Sequence, residues 1–550
     1  MSRWEVPAER PWFRHYPPGV RRDLEFPNVP VTQFLWDAAS DFPDTVATVF
    51  YGVKSTYREL AAYTQRFAAG LRNLGVKKGD RVAIMLPNCP HYLISYYGTL
   101  HAGAVVAQVN PMYVESELEY LLKDSGAKVL VVFESLYPRA LAVRQSAGLE
   151  RTIVVSLGQP QVSPGEGVYL FMDLVAASQP DPEMGKDLSS SDLAVLQYTG
   201  GTTGVSKGAM LSHLNLVSDC MLVREWFTET VPGEERFLTA LPLFHSYGMT
   251  SCLNMAVYLA SSQALLPKFD PDEVMRTIRD FQPTIFCGVP TMYVAVNHYP
   301  DVQDYNIRSI RSCVSGAAAL PVEVQARFEE LTGGSLVEGY GLSETSPVTH
   351  CNPLTGLRKA GAIGVPLPNT DCKIVDVETG EKVLGVGEIG ELCIRGPQVM
   401  SGYWNKPDET DQVLRDGWLY TGDIAKMDED GFFYIVDRKK DMIIAGGFNI
   451  YPRDVEEVLH QYPKVKEAAV AGVPDEYLGE AVKAYIVLKD GQVATPEEIV
   501  DFCKQRIARY KVPRQVEFRV SLPKTAVGKV LRRILVDEEK AKAAAGQAKG

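Results

Sequence analysis

Apolar positions alternate between two spacings along the first third of the chain. Leu60, Tyr63, Phe67, Leu71 and Leu74 recur at helical spacing, and Gly75 stands where a C-cap belongs. A short apolar strand follows at Arg81 to Leu86, then a helical stretch from Tyr92 to His101 and a strand from Ala104 to Val109. A further helix is predicted from Glu115 to Asp124 and a strand from Lys128 to Phe133. Strand–helix–strand alternation requires crossovers, so the pattern predicts a largely parallel sheet with helices on its faces. Phe281 to Val289 and Ser309 to Ser315 read as two more buried strands.

The pattern changes near residue 360. Short strands at Thr370 to Val377, Gly390 to Arg395 and Gly431 to Asp437 are punctuated by glycines, as in an antiparallel or barrel-like subdomain. Beyond Asp437 come a helix (Arg453 to His460), strands at Glu467 to Val473 and Val482 to Lys489, a helix (Pro496 to Ala508) and a strand (Gln515 to Val520). These predict a compact α+β unit with a boundary at 437–441 and a frayed tail from Asp537 to Gly550. No internal repeat is evident.

Composition narrows the class. Of 550 residues 46% are apolar, as in an ordinary globular protein, and the formal net charge of −12 argues against a nucleic-acid partner. Nine cysteines occur with no C-x-x-C pair, which disfavours a disulfide framework or zinc site and fits a reduced cytoplasmic compartment. The first 20 residues lack the apolar run of a signal peptide. Tyr92 to Val109 is too mixed to span a bilayer.

The most specific local segment is Tyr198-Thr199-Gly200-Gly201-Thr202-Thr203-Gly204-Val205-Ser206-Lys207-Gly208, directly after the apolar run Leu193 to Gln197. Glycines let the backbone approach an anion and turn its N–H groups inward, threonine hydroxyls add donors, and Lys207 adds charge. The set suits a polyphosphate. It is not a Walker A loop, because Lys207 follows Gly204 by three residues and precedes Gly208. Four further segments follow: Gly339-Tyr340-Gly341-Leu342-Ser343-Glu344-Thr345, Tyr420-Thr421-Gly422-Asp423, Asp437-Arg438-Lys439-Lys440-Asp441 and Pro523-Lys524-Thr525-Ala526-Val527-Gly528-Lys529. In kind and order these five motifs resemble the adenylate-forming superfamily of acyl-CoA synthetases, adenylation domains and luciferases. Within it, Asp441-Met442-Ile443-Ile444-Ala445-Gly446-Gly447-Phe448-Asn449-Ile450-Tyr451-Pro452 is similar to bacterial long-chain fatty-acid–CoA ligases.

The resemblance implies an α/β fold: an N-terminal domain (1–436) of two parallel-sheet subdomains and a barrel-like one, a hinge (437–441) and a small mobile C-terminal domain (442–550). It implies that a fatty acid is converted by ATP to an acyl-adenylate and passed to CoA. Thr199 and Glu344 would hold Mg²⁺. Gly200, Gly201, Thr202, Thr203, Gly204 and Lys207 would cradle phosphates. Gly316, Glu338, Gly339, Tyr340, Gly341 and Ser343 would frame the adenine side, Tyr340 by stacking. Asp423 would accept the ribose hydroxyls and Arg438 would partner ribose or phosphate. Lys529 would bridge the acid carboxylate and the α-phosphate. Lys440 would belong to the hinge, and Gly446 and Gly447 would line the pantetheine path. His245 follows Phe244 where an amino-acid-activating relative would place an aspartate, which favours a substrate without an α-amino group. Gly316-Ala317-Ala318-Ala319 fits either room for a hydrocarbon tunnel or close packing at a helix start. Many relatives have lysine where Ile444 stands, and some have a basic residue at Asn449, so contacts made by those groups are not carried over. An aryl-CoA ligase, a ligase loading a carrier protein and a silent nucleotide-binding scaffold are the alternatives. Relatives are often homodimers, and a long-chain substrate is compatible with peripheral contact at the inner membrane face.

Overall fold

In the computed structural model, residues 10–199, 206–445, 448–475, 478–525 and 528–547 are described. The chain divides into two compact units, 8–371 with 394–419 and 1–7 with 372–393 and 420–550. Segment 437–441 lies inside the second of these.

The first unit contains a seven-stranded sheet. Its strands Val168–Leu170, Arg151–Val155, Val129–Phe133, Arg81–Met85, Val105–Gln108 and Leu193–Thr199 run parallel, and Lys207–Ser212 closes one edge antiparallel to Leu193–Thr199. The central strands are buried almost throughout, as expected of a parallel sheet covered on both faces. The helices Tyr57–Asn73, Pro90–His101 and Glu115–Ser125 fall where the apolar periodicity puts them. Thr56 and Glu59 form a capping box at the first of them, and Gly75 takes φ +85° just beyond its end.

Two four-stranded ladders complete this unit. One orders Arg236–Thr239, Ser262–Leu265, Val46–Phe50 and Val53–Thr56; the other orders Ser312–Ser315, Ser335–Gly341, Val348–Cys351 and Val365–Pro366. The expected strand at Phe281 to Val289 is not continuous. The helix Pro271–Phe281 ends at Gln282 in the left-handed region, prolines 283 and 290 bracket the run, and the segment makes single bridges: Ile285 to Phe237 of one ladder and Ser312 of the other, and Gly288 to Ser315.

In the second unit, residues 423–427 of the strand Trp418–Met427 pair antiparallel with Phe433–Arg438. The C-terminal sheet orders Phe448–Ile450, Ile443–Ala445, Gly479–Leu488 and Val465–Asp475, with Gln515–Phe518 parallel to Gly479–Leu488. Of the tail expected to fray, residues 537–547 belong instead to the helix Arg532–Gln547, and 548–550 lie outside the described residues. Leu535 buries against Ala469, Ala471 and Tyr485, and Lys542 pairs with Glu517 and Glu539. These contacts hold a segment whose Ala- and Lys-rich composition reads as solvated.

Candidate functional site

The antiparallel register of the edge hairpin sets Thr199 opposite Lys207, so both flank the segment 200–205. Gly200, Gly201, Thr202, Thr203 and Gly204 lie outside the described residues, as do Gly446 and Gly447. Ser206 donates to the Thr199 carbonyl at 2.6 Å. The ammonium of Lys207 pairs with the Glu409 carboxylate and sits 5.1 Å from the centre of the Tyr403 ring. The segment 401–404 lies along the hairpin's outer strand: Ser401 N–H donates to Met210 O, Met210 N–H to Gly402 O, and Trp404 N–H to Gly208 O.

Both hairpin strands pack against the short turn Ser343–Thr345, which carries Glu344. The Tyr403 hydroxyl donates to Glu344 Oε1 at 2.8 Å. Burial, then the neighbouring Glu344 charge, push the Tyr403 phenol above its ordinary range, so it stays a donor. One tyrosine thus touches both Lys207 and Glu344. Sequence reasoning missed Tyr403; its signal was the Gly-Tyr-Trp run at 402–404, which has no polyphosphate character. The Glu344 carboxylate and the Thr199 hydroxyl, on elements that pack together, are hard-oxygen donors of the kind magnesium takes. Among the described residues no group of three or more His, Cys, Asp or Glu could hold a metal by itself.

Glycines in the second motif follow from packing. A Cβ on Gly341 would fall 1.8 Å from Pro347 O, and one on Gly339 would fall 2.9 Å from Val314 Cγ1. Glu338 is buried and accepts from Leu320 N–H at 3.1 Å. Tyr340 is half-buried and meets the buried His350 ring edge-on, centroids 5.7 Å apart. Ser343 shares a hydroxyl contact of 3.2 Å with Ser246. Gly316 lies against the Tyr247 ring, which a Cβ would reach at 3.0 Å, so close packing accounts for its size. No helix starts there: Ala317 is left-handed and the helix begins at Val322.

His245 caps the next short helix, its Nδ1 accepting from Tyr247 N–H at 3.2 Å. Desolvation pushes its pKa down to about 4, so at neutral pH it is an uncharged imidazole. Gln197, in the strand leading to the phosphate segment, donates to Phe244 O at 3.1 Å and ties that strand to the His245 loop.

In the second unit Asp423 and Arg438 face each other across their ladder, Oδ1 to Nε 3.5 Å, with Asp423 only 7% exposed. Glu391 braces the turn before Asp423 by accepting from Gly422 N–H at 3.0 Å and pairing with Lys439 at 2.8 Å. The Lys440 side chain is exposed, and desolvation by its surroundings holds its amine below the ordinary lysine range. Lys529 lies on a tight hairpin: its N–H donates to Thr525 Oγ1 at 3.1 Å and its carbonyl accepts from Thr525 N–H at 2.8 Å.

The edge hairpin and the acid-bearing turn in the first unit, and the buried aspartate and the hairpin lysine in the second, lie on chain segments of the class of enzymes that activate acids with a nucleotide. The chain belongs to the AMP-binding enzyme family, whose profile matches residues 35–404, while the AMP-binding enzyme C-terminal domain matches residues 454–529. It is 46% identical to a long-chain-fatty-acid–CoA ligase of Bacillus subtilis (strain 168), covering 97% of this chain and 98% of that one. It is 38% identical to the enzyme of the same name from Salmonella typhimurium, over 96% and 98%. Among solved structures, ATP-bound MatB from Rhodopseudomonas palustris superposes with a TM-score of 0.85 at 33% identity, covering 93% of this chain and 99% of that one. Among the described residues no helix is long and apolar enough to cross a membrane.

Proposed function

We propose that the protein is a long-chain fatty-acid–CoA ligase of the AMP-forming kind. The observation that carries this is similarity over nearly the whole length of both chains to the Bacillus subtilis ligase. In the first step the fatty carboxylate attacks the α-phosphorus of ATP, forming acyl-AMP and releasing pyrophosphate. In the second the CoA thiol attacks the acyl carbonyl, forming the thioester and releasing AMP.

The first step gathers negative charge on the phosphates, and the residues near it are cations and donors set in advance. Lys207 would leave Glu409 for the β- and γ-phosphates. Thr199 and Glu344 would hold Mg²⁺, supported by their place on elements that pack together; the ion would supply charge neutralisation of the leaving pyrophosphate. Tyr403 would keep the Glu344 carboxylate turned. Gly316, Glu338, Gly339, Tyr340, Gly341 and Ser343 would frame the adenosine, Asp423 would accept the ribose hydroxyls, and Arg438 would hold Asp423 or a phosphate. Lys529 would draw carboxylate and α-phosphate together. Neutral His245 would border the acyl carboxylate without pairing it as an ion. Rotation about 437–441, with Lys440 within it, would exchange Lys529 for the segment of Gly446 and Gly447 between steps. The proposal puts the enzyme in a reducing, cytoplasmic compartment, which its buried free thiols support.

The test is product analysis by mass spectrometry with ATP, Mg²⁺, CoA and an equimolar panel of hexanoate, laurate, palmitate, oleate and 4-coumarate. Palmitoyl- or oleoyl-CoA with AMP is the expected outcome. 4-Coumaroyl-CoA as the main product, or acyl-AMP without thioester, would replace the reading by an aryl-CoA or carrier-loading ligase.

A further inference from the structure

One charge cluster in the second unit joins the 437–441 segment to the stretch that follows Lys529. Arg532 opens the final helix, three residues after Lys529. Its guanidinium grips Glu456 with both arms, Nη2 to Oε2 at 2.7 Å and Nε to Oε1 at 3.2 Å. Its Nη1 lies 3.1 Å from Asp441 Oδ2 and 3.9 Å from Asp437 Oδ1. All four side chains are largely withdrawn from water, at 20% exposure for Arg532 and 14%, 18% and 2% for Glu456, Asp441 and Asp437. A planar fork that donates to two carboxylates at once is a task for arginine and not for lysine. The acids are anchored in turn. Asp437 accepts from the N–H groups of Arg438 and Arg453, and Glu456 Oε1 accepts from Val470 N–H at 2.7 Å. Burial pushes the Asp437 carboxyl up to about 6 even with the guanidinium pulling it down, so this acid depends on Arg532 for its charge.

The other end of this anchorage is the hairpin of Lys529. Its legs close through Leu531 N–H to Pro523 O at 2.8 Å, and Lys524 pairs with Glu467 at 2.8 Å. One leg is therefore pinned to the strand Val465–Asp475 through Lys524. The other runs into Arg532, which is pinned to the helix Pro452–His460 and to both aspartates of the 437–441 segment. The backbone of Lys529 is fixed on two sides, and one side is the segment about which the unit is proposed to turn.

We propose that Arg532 is the positioning residue for Lys529: it ties the lysine hairpin to the 437–441 segment, so that the lysine is carried as a rigid part of that segment into the adenylation step. This rests on the role given to Lys529 under the proposed function. A cluster that only stabilised the unit would affect both steps alike. A cluster that positions Lys529 affects the step that uses it.

The experiment measures two half-reactions on the full chain: palmitate-dependent exchange of labelled pyrophosphate into ATP, and conversion of supplied palmitoyl-AMP with CoA to palmitoyl-CoA. Displacement of a catalytic group by about 1 Å costs roughly 100-fold, so Arg532→Gln is expected to lower exchange by about that factor while thioester formation stays within about twofold. Arg532→Lys, which keeps one charge without the fork, is expected to recover only part of the exchange. Trypsin cleavage after Lys529 is expected to quicken in Arg532→Gln with ATP absent. Equal loss in both half-reactions, or full exchange in Arg532→Gln, overturns the inference. Lys529→Ala run alongside separates the two claims, because exchange that survives in it overturns the role of Lys529 itself. Should Arg532→Gln fail to fold, Glu456→Gln removes the two-armed contact while leaving the aspartates, and the same split is expected.

Discussion

Substituting Gly341 by alanine tests whether the acid-bearing turn is held by the backbone behind it. The added Cβ would lie 1.8 Å from Pro347 O, 2.6 Å from Pro347 C and 3.0 Å from Val348 Cα. Ordinary contact begins at 3.4 Å, so relief needs a shift of 3.4 − 1.8 = 1.6 Å against the carbonyl. All three obstructing atoms are backbone, and no rotamer change can supply the shift. It must come from parting the strand ends, which breaks the Gly341–Val348 pairing and the Leu342 N–H to Pro347 O bond of 3.0 Å. Overpacking of this kind costs about 1–3 kcal/mol and each lost hydrogen bond about 1 kcal/mol, giving about 2–5 kcal/mol in all. Glu344 is three residues on, and a displacement near 1 Å there lowers the adenylation rate about 100-fold. Thermal unfolding and pyrophosphate exchange at varied Mg²⁺–ATP read the two effects. Gly165→Ala is the control, since a Cβ there meets nothing within 4 Å and its φ is ordinary. A Gly341→Ala protein with unchanged unfolding midpoint and unchanged exchange would refute the reasoning.

Other perturbations follow from the same geometry. Tyr403→Phe removes a hydrogen bond to a charged group, worth about 1.5–3 kcal/mol, and is expected to raise the Mg²⁺–ATP concentration needed for half-maximal binding by about tenfold or more, read by calorimetry; an unmoved isotherm would remove Tyr403 from the phosphate end. Glu409→Gln releases Lys207 from its carboxylate and is expected to tighten ATP binding, and weaker binding would show that Glu409 orients the lysine instead of competing for it. Burial holds His213 and His350 at about 4 and about 3, below the ordinary 6.5. Each folded pKa is depressed, so the unfolded chain binds more protons below pH 6.5. The stability these groups give is present above 6.5 and is lost as pH falls toward 4, by about 1.4 kcal/mol per group per pH unit at most. Urea midpoints between pH 7.5 and 4.5 should fall on acidification, and His350→Gln should flatten the slope.

The parallel sheet was legible because its strands are buried on both faces and read as unbroken apolar runs between helical periods. The segment 198–208 stands out in the sequence because glycine, threonine and lysine together suit a polyphosphate, and the structure describes its two flanks, with Thr199 opposite Lys207. Tyr403, Glu409 and Arg532 were not legible. Each acts through a partner far away in sequence, Tyr403 on Glu344 and Lys207, Glu409 on Lys207, and Arg532 on Glu456. Such pairings arise from tertiary register, which no local pattern encodes. The segment 281–289 misled for a related reason: its apolar content is that of a buried strand, but its prolines and the left-handed Gln282 leave only single bridges. The final helix misled in the opposite direction, since a solvated composition is held by Leu535 and by ion pairs to another strand.

The most direct test of the central claim is exchange of labelled pyrophosphate into ATP, with palmitate and Mg²⁺ present and CoA absent. Activation through an acyl-adenylate predicts exchange that requires the fatty acid and proceeds without the thiol. Exchange absent under these conditions, with ADP and phosphate appearing only once CoA is added, would contradict it.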